Sequence, residues 1–278
     1  MNIGLIIIGD EILSGKRADK HFPRVVELLQ ARGLALSWAR YVGDDSRRIT
    51  DDLRDAFAAA RAGEVVFSCG GIGATPDDHT RQCAAAATGL PLVLHPQARE
   101  LIVDRMRDVA AEQGKVFDPD RADNVHRLNM GVFPEGCELI LNPYNKIPGF
   151  SLRFPATPSN PQGGGVFFVP GFPVMAWPMI ESVLDSVYAP QHGASTTVEM
   201  SVIVFGAMEA SLTPLMESIE STFSGVRVFS LPSVDHPEWG RHIELGVKGE
   251  SVLVVAAYPA LLAGLRQYGA ELGLELVR

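Results

Sequence analysis

The segment Glu64-Val65-Val66-Phe67-Ser68-Cys69-Gly70-Gly71-Ile72-Gly73-Ala74-Thr75-Pro76-Asp77-Asp78 runs from an apolar strand straight into a glycine turn. A short apolar run that stops at glycines reads as a buried strand of a parallel sheet. Glycines placed directly after such a strand let the backbone approach a ligand and aim amides at an anion. Thr75 suits an N-cap, Pro76 the first helical position and Asp78 a capping box, so a helix is expected from about residue 76. Acids in a first helical turn also complement the dipole, so a structural role alone accounts for Asp77 and Asp78. The run is not Gly-x-Gly-x-x-Gly, which disfavours a Rossmann dinucleotide site.

On either side of this segment the chain alternates strands and helices. A buried strand is expected over 2–8 and a helix over 21–32, where Val25, Val26, Leu28 and Leu29 fall on a helical period and Gly33 is the stop. A second strand follows over 34–42. Gly43-Asp44-Asp45-Ser46 makes a turn and N-cap for a helix over 47–61. Helical segments are expected over 91–114 and 119–130, and short strands over 139–142 and 166–169. The stretch 155–165, rich in Pro, Ser, Asn and Gly, reads as a surface loop. Strand, helix, strand, helix, strand is the pattern of a parallel α/β sheet covered by helices, and such sheets bind ligands at the C-terminal ends of their strands.

A boundary is expected at 189–194, giving domains 1–188 and 195–278. The second carries strand 197–205, helix 212–223, strands 226–231 and 242–247, helix 260–272 and strand 275–278. That β-α-β-β-α-β order is the split arrangement of a small α+β ferredoxin-like domain.

Composition narrows the function. In 278 residues a hydrophobic share of 46% is ample for a buried core. A formal net charge of -9 argues against nucleic acid as a partner, because phosphate backbones reward clustered Lys and Arg. Cys69, Cys83 and Cys137 form no zinc-binding spacing and read as reduced thiols of a cytoplasmic protein. The apolar start lacks a basic n-region and is expected to be a strand, not a signal peptide. No apolar run of about 18 residues suggests a membrane span.

Three further strand-end loops are candidates for the site. Gly9-Asp10-Glu11-Ile12-Leu13-Ser14-Gly15-Lys16 superficially matches a P-loop, but the glycines are one residue too far apart and Arg17 stands where a Ser or Thr should meet the metal. What remains is a turn with two carboxylates, a hydroxyl and two glycines. Asp44 is a second candidate; Asp45 and Ser46 are explained by capping. Val169-Pro170-Gly171-Phe172-Pro173 is a rigid turn. The seven histidines form no HExxH spacing, and no Gly-x-Ser-x-Gly elbow occurs. A phosphate on the glycine turn would be repelled by bare carboxylates. A divalent cation such as magnesium removes that conflict, so glycines and acids together suit a phosphate-plus-metal site.

The loops starting at Gly9, Val42, Gly70 and Pro170, in this order and spacing, together resemble the molybdopterin-binding domain shared by MoaB/Mog proteins, plant and animal molybdopterin adenylyltransferases and CinA proteins. Residues 1–188 are most similar to the N-terminal portion of CinA. The resemblance implies a three-layer α/β/α domain. It implies Asp44 and Asp78 as the functional, metal-holding aspartates. It implies ligand contacts from Gly9, Asp10, Glu11, Ser14, Gly70, Gly71, Gly73, Ala74, Thr75, Pro170 and Gly171. The ligand class implied is a phosphorylated nucleotide or pterin. The reaction implied is divalent-metal-dependent hydrolysis of a nucleotide pyrophosphate of the ADP-ribose or FAD class. Molybdopterin binding with adenylyl transfer, and a non-catalytic binding module, are the alternatives. A homo-oligomer is also implied. Val174-Met175 stands where CinA proteins usually carry a Glu, and Asn145-Lys146-Ile147 where Gly-Thr-Ala is common. No nicotinamide-nucleotide deamidation is expected, because no amidase domain follows.

Overall fold

The first strand, β1 (Ile3–Ile8), is buried along its whole length, which demands cover on both faces of its sheet. A computed structural model, describing residues 1–193 and 197–278, shows that cover. The chain forms two compact units, Met1–His192 and Gly193–Arg278. In the first, β1 is followed by α1 (Asp10–Leu13), α2 (His21–Gln30), β2 (Trp38–Val42), α3 (Ser46–Arg61), β3 (Val65–Cys69) and α4 (Thr80–Thr88). Then come β4 (Leu92–Leu94), α5 (Pro96–Glu112), α6 (Ala122–Leu128), β5 (Val132–Pro134), β6 (Glu138–Ile140), β7 (Gly149–Arg153), β8 (Gly165–Val169) and α7 (Pro173–Ser186).

The main sheet has the order β2-β1-β3-β8-β7-β6. Strands β2, β1, β3 and β8 are parallel, and only β7 runs against its neighbours β8 and β6. Side-chain alternation divides the core into two layers. Ile3, Leu5 and Ile7 pack with Val25, Leu28 and Leu29 of α2 and with Met179, Ile180 and Val183 of α7. Ile6 and Ile8 pack on the other face with Ile49, Leu53 and Phe57 of α3 and with Cys83 and Ala84 of α4. The result is the expected three-layer α/β/α architecture.

Several boundaries differ from the sequence reading. Strand β2 starts at Trp38, not 34, because Leu34 and Leu36 reach the α2 side of the core from a loop. Within the helix expected over 91–114, Leu92–Leu94 is instead the strand β4, paired antiparallel with β5. Strands β5 and β7 escaped the reading. The helix expected from residue 76 begins at Thr80, because the Asp78 carboxylate holds Thr75 in a separate turn.

In the second unit, β9 (Thr197–Phe205), α8 (Glu209–Thr222), β10 (Arg227–His236), β11 (Gly240–Glu250), α9 (Ser251–Tyr268) and β12 (Glu271–Val277) give the order β10-β11-β9-β12. All pairs are antiparallel, as in a ferredoxin-like domain. Val202, Val204, Leu245 and Val247 pack against Leu212, Ile219, Leu261 and Leu265. Helix α9 starts nine residues before the expected 260, since Pro259 sits inside it rather than at its start. By length and composition alone α9 is long and apolar enough to cross a membrane, but one apolar side of it lies in this core. Part of the expected boundary 189–194 and the expected domain start at 195 lie outside the described residues.

Candidate functional site

Strand register brings the turns together. Ile8 is level with Val42, Ile7 with Cys69, and Cys69 with Val169. The chain therefore leaves β1, β2, β3 and β8 at one edge, the C-terminal edge where such sheets place ligands. Backbone bonds continue the alignment past the strands. Gly9 N–H donates to Val42 O at 3.0 Å, and Gly70 N–H donates to Val169 O at 3.0 Å.

Two of the four turns interlock through carboxylates. Asp10 N–H donates to Asp44 Oδ2 at 2.9 Å, and Asp44 N–H donates to Asp10 Oδ1 at 3.1 Å. Gly43 makes room for this, since a Cβ there would lie 2.5 Å from Asp10 Oδ1. The Asp44 carboxyl is raised above its ordinary range, first by partial burial and then by the charges of Asp10, Glu11 and Asp77; the bond from Asp10 opposes the shift. So the loop carboxylate whose charge reaches Asp44 is Asp77, and Asp78 turns elsewhere. Among the described residues no three His, Cys, Asp or Glu side chains converge as a metal-binding set.

Asp78 folds back on its own loop. Its Oδ2 accepts from Thr75 N–H at 2.8 Å and from the Thr75 hydroxyl at 2.5 Å. Arg81, 4% exposed, donates from one terminal nitrogen to Gly73 O at 2.7 Å and from the other to Asn129 O. The buried Thr80 hydroxyl donates to Gly70 O at 3.0 Å. Gly70 and Gly71 have φ of 110° and 69°; a Cβ would overlap the Ile8 carbonyl on the first and the Thr80 hydroxyl on the second. Only glycine enters that conformation without strain. This bracing leaves the N–H groups of Gly71, Ile72, Gly73 and Ala74 with no acceptor among the described residues. Consecutive amides without an acceptor after a strand are what an anion-binding concavity needs.

The remaining expected residues take different places. Glu11 lies over Gly9, whose Cβ would meet its Oε2. Ser14 is exposed at the end of the single turn α1. Pro170 and Gly171 follow β8, and a Cβ on Gly171 would lie in van der Waals contact with Gly70 Cα. Asn145 and Met175, the two departures from the resembled pattern, touch: Asn145 Nδ2 lies 3.2 Å from Met175 Sδ. The sequence reading gave Thr80 and Arg81 no role in the site. The signal available was their position just after Asp78, and only the fold shows that both are buried.

Comparison with known proteins bears on the family and the fold. A CinA-like protein of Syntrophotalea carbinolica is 29% identical over 230 residues, covering 80% of this chain and 51% of its own length. The chain thus spans about half the length of the CinA-like relatives it matches. Protein PH0439 of Pyrococcus horikoshii is 28% identical over 228 residues, covering 82% of this chain and 83% of its own. A crystal structure of a CinA protein from Thermoplasma acidophilum superposes with a TM-score of 0.52 at 25% identity, covering 67% of this chain and 97% of that one. The family described as "Probable molybdopterin binding domain" matches residues 4–189. That match takes in most of the chain, and the chain belongs to this MoaB/Mog-like domain family, related to CinA.

Proposed function

We propose that the strand-end site binds a phosphorylated nucleotide- or pterin-like ligand and hydrolyses a nucleotide pyrophosphate of the ADP-ribose or FAD class with a divalent cation. The observation that carries this reading is the row of free amides at Gly71–Ala74 beside the Asp10–Asp44 pair. Amides alone suit any anion. Carboxylates alone would repel one. Side by side they suit a phosphate whose charge is shared with a cation.

The donor set fits magnesium or a similar ion, which commonly takes one or two carboxylates and completes its shell with water and substrate phosphates. Asp44 and Asp10 each keep one carboxylate oxygen outside their mutual bonds and would hold it. Bound there, a cation would draw charge from the phosphate oxygens and relieve the repulsion around Asp44. Asp78 braces the loop through Oδ2, which accepts twice from Thr75, and keeps Oδ1 for the metal-holding role expected of it. In hydrolysis, water adds to one phosphorus and the bridging P–O bond breaks. Two phosphate monoesters result, with two protons released as both become dianions. The free amides would face the oxygens on which charge builds. Glu11, whose carboxylate accepts no hydrogen bond among the described residues while its backbone carbonyl accepts from Arg17 N–H, is the carboxylate left to orient the water.

The family match favours a second reading, molybdopterin binding with or without adenylyl transfer. One assay separates them. ADP-ribose, FAD and ATP are incubated with magnesium, manganese or chelator, with and without molybdopterin. Metal-dependent release of AMP from ADP-ribose or FAD supports hydrolysis. ATP consumption only with the pterin supports transfer and overturns the preferred reading.

A further inference from the structure

The last helix of the second unit, α9, is apolar on the side its core does not use. From Ser251 to Leu265 it carries no charged side chain, and only Ser251 and Tyr258 bring polar side-chain atoms. A helix apolar all round is normally buried all round. Here Val254, Ala257, Leu261, Leu262 and Leu265 turn into the core. The opposite side is exposed: Val252 at 80% and Val255 at 60%, with Ala256, Pro259 and Ala263 exposed beside them.

The exposed residues are ordered. Val252, Ala256, Pro259 and Ala263 recur at intervals of four, three and four, the seam spacing of two helices packed along each other, and Val255 widens the seam. The seam is bracketed by charge. Glu250 directly precedes α9 and Arg266 lies in its last turn. Both are exposed, and neither meets an opposite charge among the described residues.

We propose that this face docks a second copy of the chain, α9 against α9, antiparallel across a two-fold axis. The antiparallel order brings Glu250 of each copy level with Arg266 of the other, whereas a parallel order would set like charges side by side. It also places each helix N-terminus beside the other's C-terminus, where the partial charges are opposite. One patch then serves both copies, as a two-fold interface requires. A lipid surface suits the face less well, because helices that lie on membranes carry several Lys or Arg and Arg266 is the only one in α9. The inference is independent of the proposed function, since it concerns the second unit alone.

The test is sedimentation velocity on the whole chain over a wide range of concentration. A monomer is expected to pass into a species of twice its mass. Val252→Glu and Val255→Glu place charge at positions already exposed, so the fold is kept, which melting temperature checks; each should weaken dimerisation at least about tenfold. Glu250→Arg and Arg266→Glu should each weaken it by about threefold, and the two together should regain most of the loss. A chain that stays monomeric at every concentration overturns the proposal, as does a dimer that neither valine substitution weakens. A double charge variant no better than its singles overturns the antiparallel pairing. A monomer that pellets with phosphatidylcholine vesicles, and no longer does so as Val255→Glu, gives the face to lipid and overturns a second copy as its occupant.

Discussion

Asp10 and Asp44 hold each other by exchanged bonds, the backbone N–H of each donating to the carboxylate of the other at 2.9 and 3.1 Å. The exchange fastens the turn after β1 to the turn after β2. It also fixes two negative charges beside each other at the edge of the sheet. Such a pair is costly when bare and useful when a cation sits on it.

Asp44→Asn therefore separates stability from binding. The Asp44 carboxyl is raised in the fold, so the folded chain holds that proton more tightly than the unfolded chain does. Its contribution to stability is present in acid and lost as the pH rises through the raised folded value, so the charged form is a cost at neutral pH. Asparagine removes the charge and keeps an acceptor for Asp10 N–H. In metal-free buffer at pH 7 the variant should melt slightly higher, by up to about 2 °C once screening by solvent is allowed for. Below pH 3 the advantage should vanish. Calorimetric melting across pH checks both, and a lower melting temperature at pH 7 would contradict the account.

Gly71→Ala probes the glycine turn. The residue has φ 69°, and a Cβ there would overlap the Thr80 hydroxyl that bonds Gly70 O. The left-handed conformation alone costs a non-glycine about 1–2 kcal/mol, before the displaced hydroxyl is counted. Denaturant unfolding should show a loss of about 2 kcal/mol or more, with phosphate affinity falling alongside. Gly89→Ala, at a similar φ of 72° but with open space around it, should cost less and leave binding unchanged.

Arg81→Leu tests the brace. The guanidinium spans Gly73 O and Asn129 O, and burial already disfavours its charge, with Asp78 offsetting part of that. Leucine leaves both carbonyls without this donor, at about 1–3 kcal/mol for each one that stays dry. Unfolding free energy should drop accordingly, and the 71–74 amides should exchange with solvent faster in hydrogen-exchange measurements. Unchanged exchange would mean that the loop holds its shape without Arg81.

The layout of the fold was open to sequence reading because its causes are local. Ile3–Ile8 and Val65–Cys69 are apolar throughout and flanked by glycines, so both read as buried parallel strands. The ferredoxin-like order followed from alternation and turn residues alone. Strands β5 and β7 were missed because Val132–Pro134 is only three residues long and Gly149-Phe150-Ser151 lacks a clean period. The glycine loop was legible as a site, but its internal wiring was not. Capping logic placed a helix at Pro76, whereas the same two groups, Thr75 and Asp78, close a turn that defers the helix to Thr80. The pairing of Asp10 with Asp44 spans 34 residues, and the His21–Gly171 contact spans 150. No periodicity reports contacts at that separation; they exist only once the strand register has set the edge.

The central claim is that anion and cation share one site at the strand ends. The measurement that tests it most directly is calorimetric binding of ADP-ribose in manganese and in chelator, on the unmodified protein and on Asp44→Asn. The account predicts that chelation weakens binding at least about tenfold in the unmodified protein and changes it little in the variant, where the metal-holding carboxylate is gone. Equal affinity with and without metal in the unmodified protein would contradict it.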